Sequence, residues 1–239
     1  VTRVTLDERT RYYFGNYFKN RMKCEFLAHF PDQGVAQSEL IKKRVFGVKT
    51  KSGVSEHLSS FRYCLEDILG GCNKRAKTLS LNEEGKEMQN IARYMLIIND
   101  ELNEEFGTSV DFLNILYEKV DPMKMIKTLT KIYFSGLSKM QDLFGVTWNH
   151  WDLRHVRRLE SFGLVQIDSR IYQGKKHTCV IKTDLGNKFY YKLLLPVIET
   201  VTATCEKSNC ELHKYMMNGH WENYVQKNGG SWSEKVKRP

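Results

Sequence analysis

The sequence predicts a mainly helical α+β chain in which two copies of one small unit, each closed by a short β-hairpin, are joined by a long helix. The first observation behind this is an internal repeat. Phe46-Gly-Val48 and Phe144-Gly-Val146 stand 98 residues apart, and Gly85 and Gly186 stand 101 apart, so two separated landmarks share nearly one offset. A longer hairpin in the second copy accounts for the three-residue difference. The second observation is apolar spacing of three and four over most of the chain, which is the period of amphipathic helices. The third is charge. The net +9 is segregated: residues 37–80 and 150–192 each carry +5, while 81–121 carry −7. Two basic surfaces flanking an acidic middle suit contact with a polyanion at two places.

The repeat sets the expected elements. In the second copy Asp121-Pro122 is a helix start, because proline is tolerated at the first helical position. Ile126, Leu129, Ile132 and Tyr133 then recur at helical spacing. Leu137, Met140, Leu143 and Phe144 form a second short helix that Gly145 stops. Thr147 caps a third helix with an apolar side of Trp151, Val156, Leu159 and Phe162. Gly163 ends it, and 164–172 and 177–182 alternate as two strands around the basic turn Gln173-Gly-Lys-Lys176. The first copy opens with one aromatic-rich helix through Tyr12, Tyr13, Tyr17, Phe18, Met22, Phe26 and Phe30. A helix from Ser38 to Phe46 follows, then a third over about 54–67, with Leu69-Gly-Gly71 as its exit and 70–77 as a shorter hairpin. Between the copies, Met88, Ile91, Met95, Ile98, Leu102 and Phe106 mark a long helix over 86–106. It reads either as a packing strut or as a surface for homodimerisation. The expected organisation is 1–85 for the first unit, 86–121 for an acidic helical linker, 122–195 for the second unit and 196–239 for a C-terminal helix and tail.

The segments Val35-Ala-Gln-Ser-Glu-Leu40, Val54-Ser-Glu-His-Leu58 and Val156-Arg-Arg-Leu-Glu-Ser-Phe-Gly-Leu-Val165 resemble the winged helix-turn-helix superfamily of DNA-binding domains. The two copies together cover most of the chain. Their tandem layout is similar to that of some plasmid or viral replication initiators and of duplicated MarR-like regulators. The resemblance implies that the third helix of each unit enters a major groove and that the hairpin, the wing, follows the flanking backbone. Carried over, Trp148, Asn149, His150, Arg154, Arg157 and Arg158 face the groove in the second copy, with Arg170, Lys175 and Lys176 on phosphate. In the first copy Lys49, Thr50, Lys51, Ser52, Ser55, Glu56, Ser59 and Arg62 take the groove positions, with Asn73, Lys74, Arg75 and Lys77 on the wing. Trp148 and Trp151 share a face at spacing three, and Trp148 is the one taken as a contact. The implied function is site-specific double-stranded DNA binding by a transcriptional regulator. Binding at a replication origin or partition site is the alternative, and a protein-interaction scaffold is the alternative of another class.

Other classes are set aside on composition. No glycine-rich phosphate loop, nucleophile elbow or scaffolded carboxylate pair occurs, so neither catalysis nor a cofactor is expected. The aromatic run at Tyr12, Tyr13 and Tyr17 reads as core. Apolar runs such as 95–98 fall far short of the roughly 20 residues that span a bilayer. The chain opens Val-Thr-Arg-Val-Thr with no apolar stretch behind it, and its six cysteines are scattered, so a reducing, cytoplasmic setting is expected. Cys205, Cys210, His213 and His220 have the residue types of a zinc site without the spacing of known zinc modules, and are kept as a weak metal candidate.

Overall fold

The aromatic opening breaks into two helices, because a side-chain acceptor restarts the backbone ladder four residues after the first one ends. In the computed structural model, which describes residues 8–67, 77–116, 122–202, 212, 214–215 and 218–228, α1 is Glu8–Asn16 and α2 is Arg21–Ala28. Asn20 caps α2 by accepting the Lys23 N–H at 3.0 Å. Tyr17 and Phe18, in the turn between them, are fully buried. The first unit continues with β1 (Val35–Ala36), α3 (Gln37–Lys42), a 3₁₀ turn at Val45–Gly47, α4 (Lys51–Ser59), β2 (Leu65–Asp67) and β3 (Thr78–Leu81). The third helix is therefore shorter than expected. It ends at Ser59, and the expected helical residues 65–67 form a strand, since Leu65 pairs with Leu81 and Asp67 with Leu79.

The second unit has α6 (Pro122–Tyr133), α7 (Met140–Phe144), α8 (His150–Ser161), β4 (Val165–Tyr172) and β5 (Lys175–Lys182). Its hairpin is longer and closes tightly. Eight pairs run from Val165 opposite Lys182 to Tyr172 opposite Lys175, around Gln173 (φ 50°) and Gly174 (φ 75°). Two left-handed residues suit a two-residue turn that matches the strands' twist. In both units the strand before the second helix pairs with the last strand of the hairpin. The order is β1-β3-β2 in the first, and a Lys139–Cys179 bridge places the same neighbours together in the second.

The repeated glycines have a matching structural cause. α5 (Glu83–Phe106) leaves the first sheet, and α9 (Asp184–Lys188) leaves the second. Asn82 caps α5 by accepting the Gly85 N–H at 2.8 Å, and Thr183 caps α9 by accepting the Gly186 N–H at 3.0 Å. A Cβ on Gly85 would collide with the Cys64 carbonyl, and one on Gly186 with the Leu164 carbonyl and the Tyr133 hydroxyl. The same caps reach back to the end of the third helix. Asn82 Nδ2 donates to the Tyr63 carbonyl at 2.7 Å, and Thr183 Oγ1 donates to that of Gly163 at 2.7 Å. Tyr63-Cys64-Leu65 is thus the counterpart of Gly163-Leu164-Val165, and the exit expected at Leu69-Gly-Gly71 lies six residues too late.

The middle of the chain is core rather than linker. Along α5, Met88, Ile91, Ala92, Met95, Leu96, Ile98 and Leu102 are buried within the chain, α2 packs along it, and the Gln89 side chain donates to the Leu27 and Phe30 carbonyls at 3.1 and 2.8 Å. The apolar positions of that stripe are thus covered by the chain's own elements. Residues 184–201 continue as α9, a π-helical turn (Phe189–Leu194) and α10 (Leu195–Val201). Pro196 has no N–H for the Lys192 carbonyl four residues earlier, and the Tyr94 hydroxyl of α5 donates to that carbonyl instead. α11 (His220–Lys227) closes the fold on α5, with Trp221 buried under the Arg93 guanidinium and the Tyr224 hydroxyl donating to Asp100 at 2.7 Å. Cys24, Cys64 and Cys179 are free and buried. No helix among the described residues is long and apolar enough to cross a membrane.

Replacing Gly85 or Gly186 by Ala is expected to destabilise by about 1–3 kcal/mol each, the usual cost of forcing atoms into a packed site. Gly15→Ala, at a helical position with nothing within 4 Å, should stabilise slightly. Urea denaturation of the three variants checks the contrast, and equal midpoints would remove the proposed cause of the repeat.

Candidate nucleic-acid interface

In the second unit the candidate surface is assembled at the start of α8. The helix begins at Asn149 rather than Thr147. Asn149 Oδ1 accepts the Trp151 N–H at 2.9 Å, and Asp152 Oδ2 accepts the Asn149 N–H at 3.1 Å, which makes a capping box. Burial works against the charge on Asp152, but the Lys124 ammonium at 2.6 Å and the Asn149 N–H outweigh it and hold the carboxyl below the usual carboxylate range. The pair ties α8 to α6. This cap changes the assignment of three expected contacts. Asn149 has its carbonyl oxygen committed to the helix, so it cannot offer both ends of its amide to a base edge. Trp148 precedes the cap, lies outside the helix and is half-buried against the core, while Trp151 is exposed. A spacing of three puts two residues on one helical face only where both are helical.

The remaining cations divide into two sets. His150, Arg154 and Arg157 are exposed on α8, with the His150 ring 4.8 Å from Trp151 and the Arg154 guanidinium 5.7 Å over it. Arg158 turns the other way. Its guanidinium donates to the Ile115 and Asn114 carbonyls at 3.1 and 2.8 Å and lies over Phe162, so it anchors the 3₁₀ turn at Phe112–Leu116 instead of facing solvent. On the hairpin, Arg170, Lys175 and Lys176 are all exposed. Arg170 and Lys175 share one face with Tyr172 and His177, whose rings meet edge-on at 5.9 Å, and Lys139 sits 4.5 Å over Tyr172. Lys139 and Tyr172 belong to this surface, although the sequence reading did not single them out. The signal for them was the strand alternation, which places every second residue of the hairpin on one side.

In the first unit α4 and the sheet enclose a groove of about 460 Å³. Of the expected contacts, Lys51, Ser55, Ser59, Arg62 and Lys77 line it together, joined by Gln37, whose amide donates to Ser55 Oγ at 2.6 Å. Lys49, Ser52 and Glu56 are exposed beside it, and Thr50 is the α4 cap, accepting the Gly53 N–H at 3.2 Å. Arg62 lies beyond the helix and folds onto Tyr63, donating to its hydroxyl at 2.8 Å. Asn73, Lys74 and Arg75 lie outside the described residues. The same holds for Cys205, Cys210 and His213 of the metal candidate, while His220 stacks on Tyr215 at 4.0 Å. Compared with protein families, with curated proteins and with solved structures, the chain matches none.

Because the folded Asp152 titrates below its ordinary range, its stabilising contribution is present at neutral pH and is lost as pH falls through the folded value. Asp152→Asn is expected to lower stability by about 1–2 kcal/mol at pH 7, as cap losses do. The gap from the parent chain should close below about pH 4, near ordinary carboxylate values. Thermal melts across pH 3 to 7 check this, and a gap independent of pH would contradict it.

Proposed function

We propose that the chain is a tandem winged-helix protein that binds double-stranded DNA site-specifically and acts by occupancy, as a transcriptional regulator or as the origin-binding component of a replicon. One observation carries this reading. A single order of elements and strand neighbours occurs twice, and each time the third helix and the strands beside it leave cations exposed: Lys51, Arg62 and Lys77 in one unit, Arg154, Arg157, Arg170, Lys175 and Lys176 in the other. Like charges crowd on a surface at a cost that a polyanion relieves.

In this reading α8 lies in a major groove with Arg154 and Arg157 toward base edges, where a guanidinium can make paired hydrogen bonds to guanine. The hairpin cations meet phosphate and supply affinity that falls with salt. α4, with its serines at 52, 55 and 59 beside Lys51, makes the second contact, and its hydroxyls suit phosphate and base edges alike. The acidic residues of α5 stand away from this role, since Asp100, Glu104 and Glu105 already pair with Arg21, Lys227 and Lys188 of the same chain.

Selection from a random duplex library, read by mobility shift at two salt concentrations, tests the proposal. The expected result is an enriched two-part motif with affinity falling steeply with salt, and absence of duplex binding at low salt would overturn it. On the selected duplex, Arg154→Ala with Arg157→Ala should weaken binding by about 10- to 100-fold for each arginine–base pairing removed. Arg158→Ala should leave affinity unchanged while lowering stability by about 1–3 kcal/mol, the cost of stranding two carbonyls.

A further inference from the structure

The largest apolar exposures among the described residues fall in the second unit. Among the described residues the three most exposed large hydrophobics are Val146 at 80%, Ile171 at 75% and Trp151 at 54%. Single exposed apolar residues are ordinary. These three lie in the turn before α8, in the first turn of α8 and near the hairpin tip of the same unit.

Ile171 is the most constrained of them. It pairs with Lys176 next to the two-residue turn, and strand alternation puts both on the face that carries Ile167 and Val180 toward the core. Ile167 is the last residue of that face on β4 to touch the core, so Ile171 projects about 13 Å past it at the usual strand rise. No packing among the described residues covers this branched apolar side chain. Its neighbours specify the partner. Lys176 lies opposite it on the same face, Arg170 and Lys175 stand on the other face of the ribbon, and the sole acid between positions 166 and 178, Asp168, is turned onto Arg170 at 3.4 Å. An apolar side chain near the tip of a ribbon that carries cations on both faces matches a groove with phosphates on its rims and stacked bases at its floor.

Resting on the DNA-binding reading above, we propose that the hairpin of the second unit is a wedge: Ile171 enters the minor groove between two base pairs, with Arg170, Lys175 and Lys176 on the flanking phosphates, and kinks the duplex. Apolar wedges of this type unstack a base step and bend DNA by roughly 20–90°. The favoured target is a pyrimidine–purine step, which unstacks most easily, one groove away from the bases that α8 reads. The wedge belongs to the second unit, so its bend falls in that unit's half of the site.

The test uses the full chain and its selected duplex, labelled at both ends for energy transfer, together with circularly permuted fragments in mobility shift. The parent protein is expected to shorten the end-to-end distance, with a bend centre displaced toward the second half-site. Ile171→Ala, at an exposed position, should keep its melting temperature and lose less than about tenfold in affinity while the bend is largely abolished. Lys175→Ala with Lys176→Ala should do the opposite, lowering affinity and the salt slope while the complexes that form stay bent. Binding without a bend in the parent, or an undiminished bend in Ile171→Ala, overturns the wedge and leaves the DNA-binding reading intact. Absence of duplex binding overturns both. Sedimentation with phosphatidylserine vesicles that Ile171→Ala abolishes, alongside unbent DNA, would overturn the wedge in favour of a membrane surface.

Discussion

Both units depend on one close contact, in which a helix that leaves the sheet sets its first turn directly against a main-chain carbonyl at the end of the third helix. Glycine is required at that turn because any Cβ would occupy the carbonyl's place, at Cys64 for Gly85 and at Leu164 for Gly186. The neighbouring caps use the same corner, with Asn82 and Thr183 each holding a glycine N–H on one side and a carbonyl of residue 63 or 163 on the other. The contact fixes the angle between the third helix, the hairpin and the helix that follows. It thereby fixes which face of α4 and α8 is left for solvent. A repeat that keeps two glycines at nearly constant separation while most other positions diverge is what such a constraint leaves in a sequence.

The helix that starts from the first of these corners is what holds the two units together. α5 packs its apolar residues against α2, the π-helical turn and α11, and its polar residues satisfy groups those elements cannot satisfy alone. Gln89 and Arg93 close the C-terminal end of α2, donating to the carbonyls of Leu27, Phe30 and Ala28. Tyr94 does the same for the carbonyl that Pro196 leaves without a donor. The acidic side of α5 closes the C-terminal helix through Asp100, which binds both Arg21 and Tyr224. Burial raises and these donors lower the Asp100 carboxyl, and the donors prevail. Charge that reads in sequence as a solvated, DNA-avoiding linker is in large part internal pairing.

The mainly helical α+β class with its two small antiparallel sheets was legible because it rests on periods and punctuation: apolar spacing, glycine and proline positions, and strand alternation. Element ends were less so, since a cap is decided by one hydrogen bond. Thr147 and Asn149 are both good capping residues, and only Asp152, three residues on, closes the box for Asn149. That two-residue difference moved Trp148 out of the helix, exposed Trp151, and took the Asn149 amide out of the surface. Arg158 illustrates a second limit. From sequence it is one of three arginines on a basic helix, and its actual partners are backbone carbonyls more than forty residues away. A long-range acceptor of that kind has no local signature. The cations at 154, 157, 170 and 175 were legible as solvent-facing because each lies where the helical or the strand period points outward, whereas Lys176 is on the core-side face and is exposed because it lies near the hairpin tip.

The two units share a framework but not a surface. α4 presents serines beside a few cations and lines a groove whose floor is Leu58, Leu65 and Leu79, with Asp67 at its edge. α8 presents an indole, an imidazole and two arginines, next to a hairpin with eight residue pairs against the three described between β2 and β3. A shared backbone would let either unit dock on a groove, so the difference lies in what each can do there. Hydroxyls and scattered lysines position a protein on the phosphate backbone with little discrimination. Guanidinium groups near an exposed indole, on a helix pinned at its start by the Lys124–Asp152 pair, can discriminate, because a base contact is selective only if its side chain starts from a fixed place. Under the function proposed above, the first unit would supply reach and the second selectivity, with the 24-residue helix α5 between them setting the spacing of the two contacts.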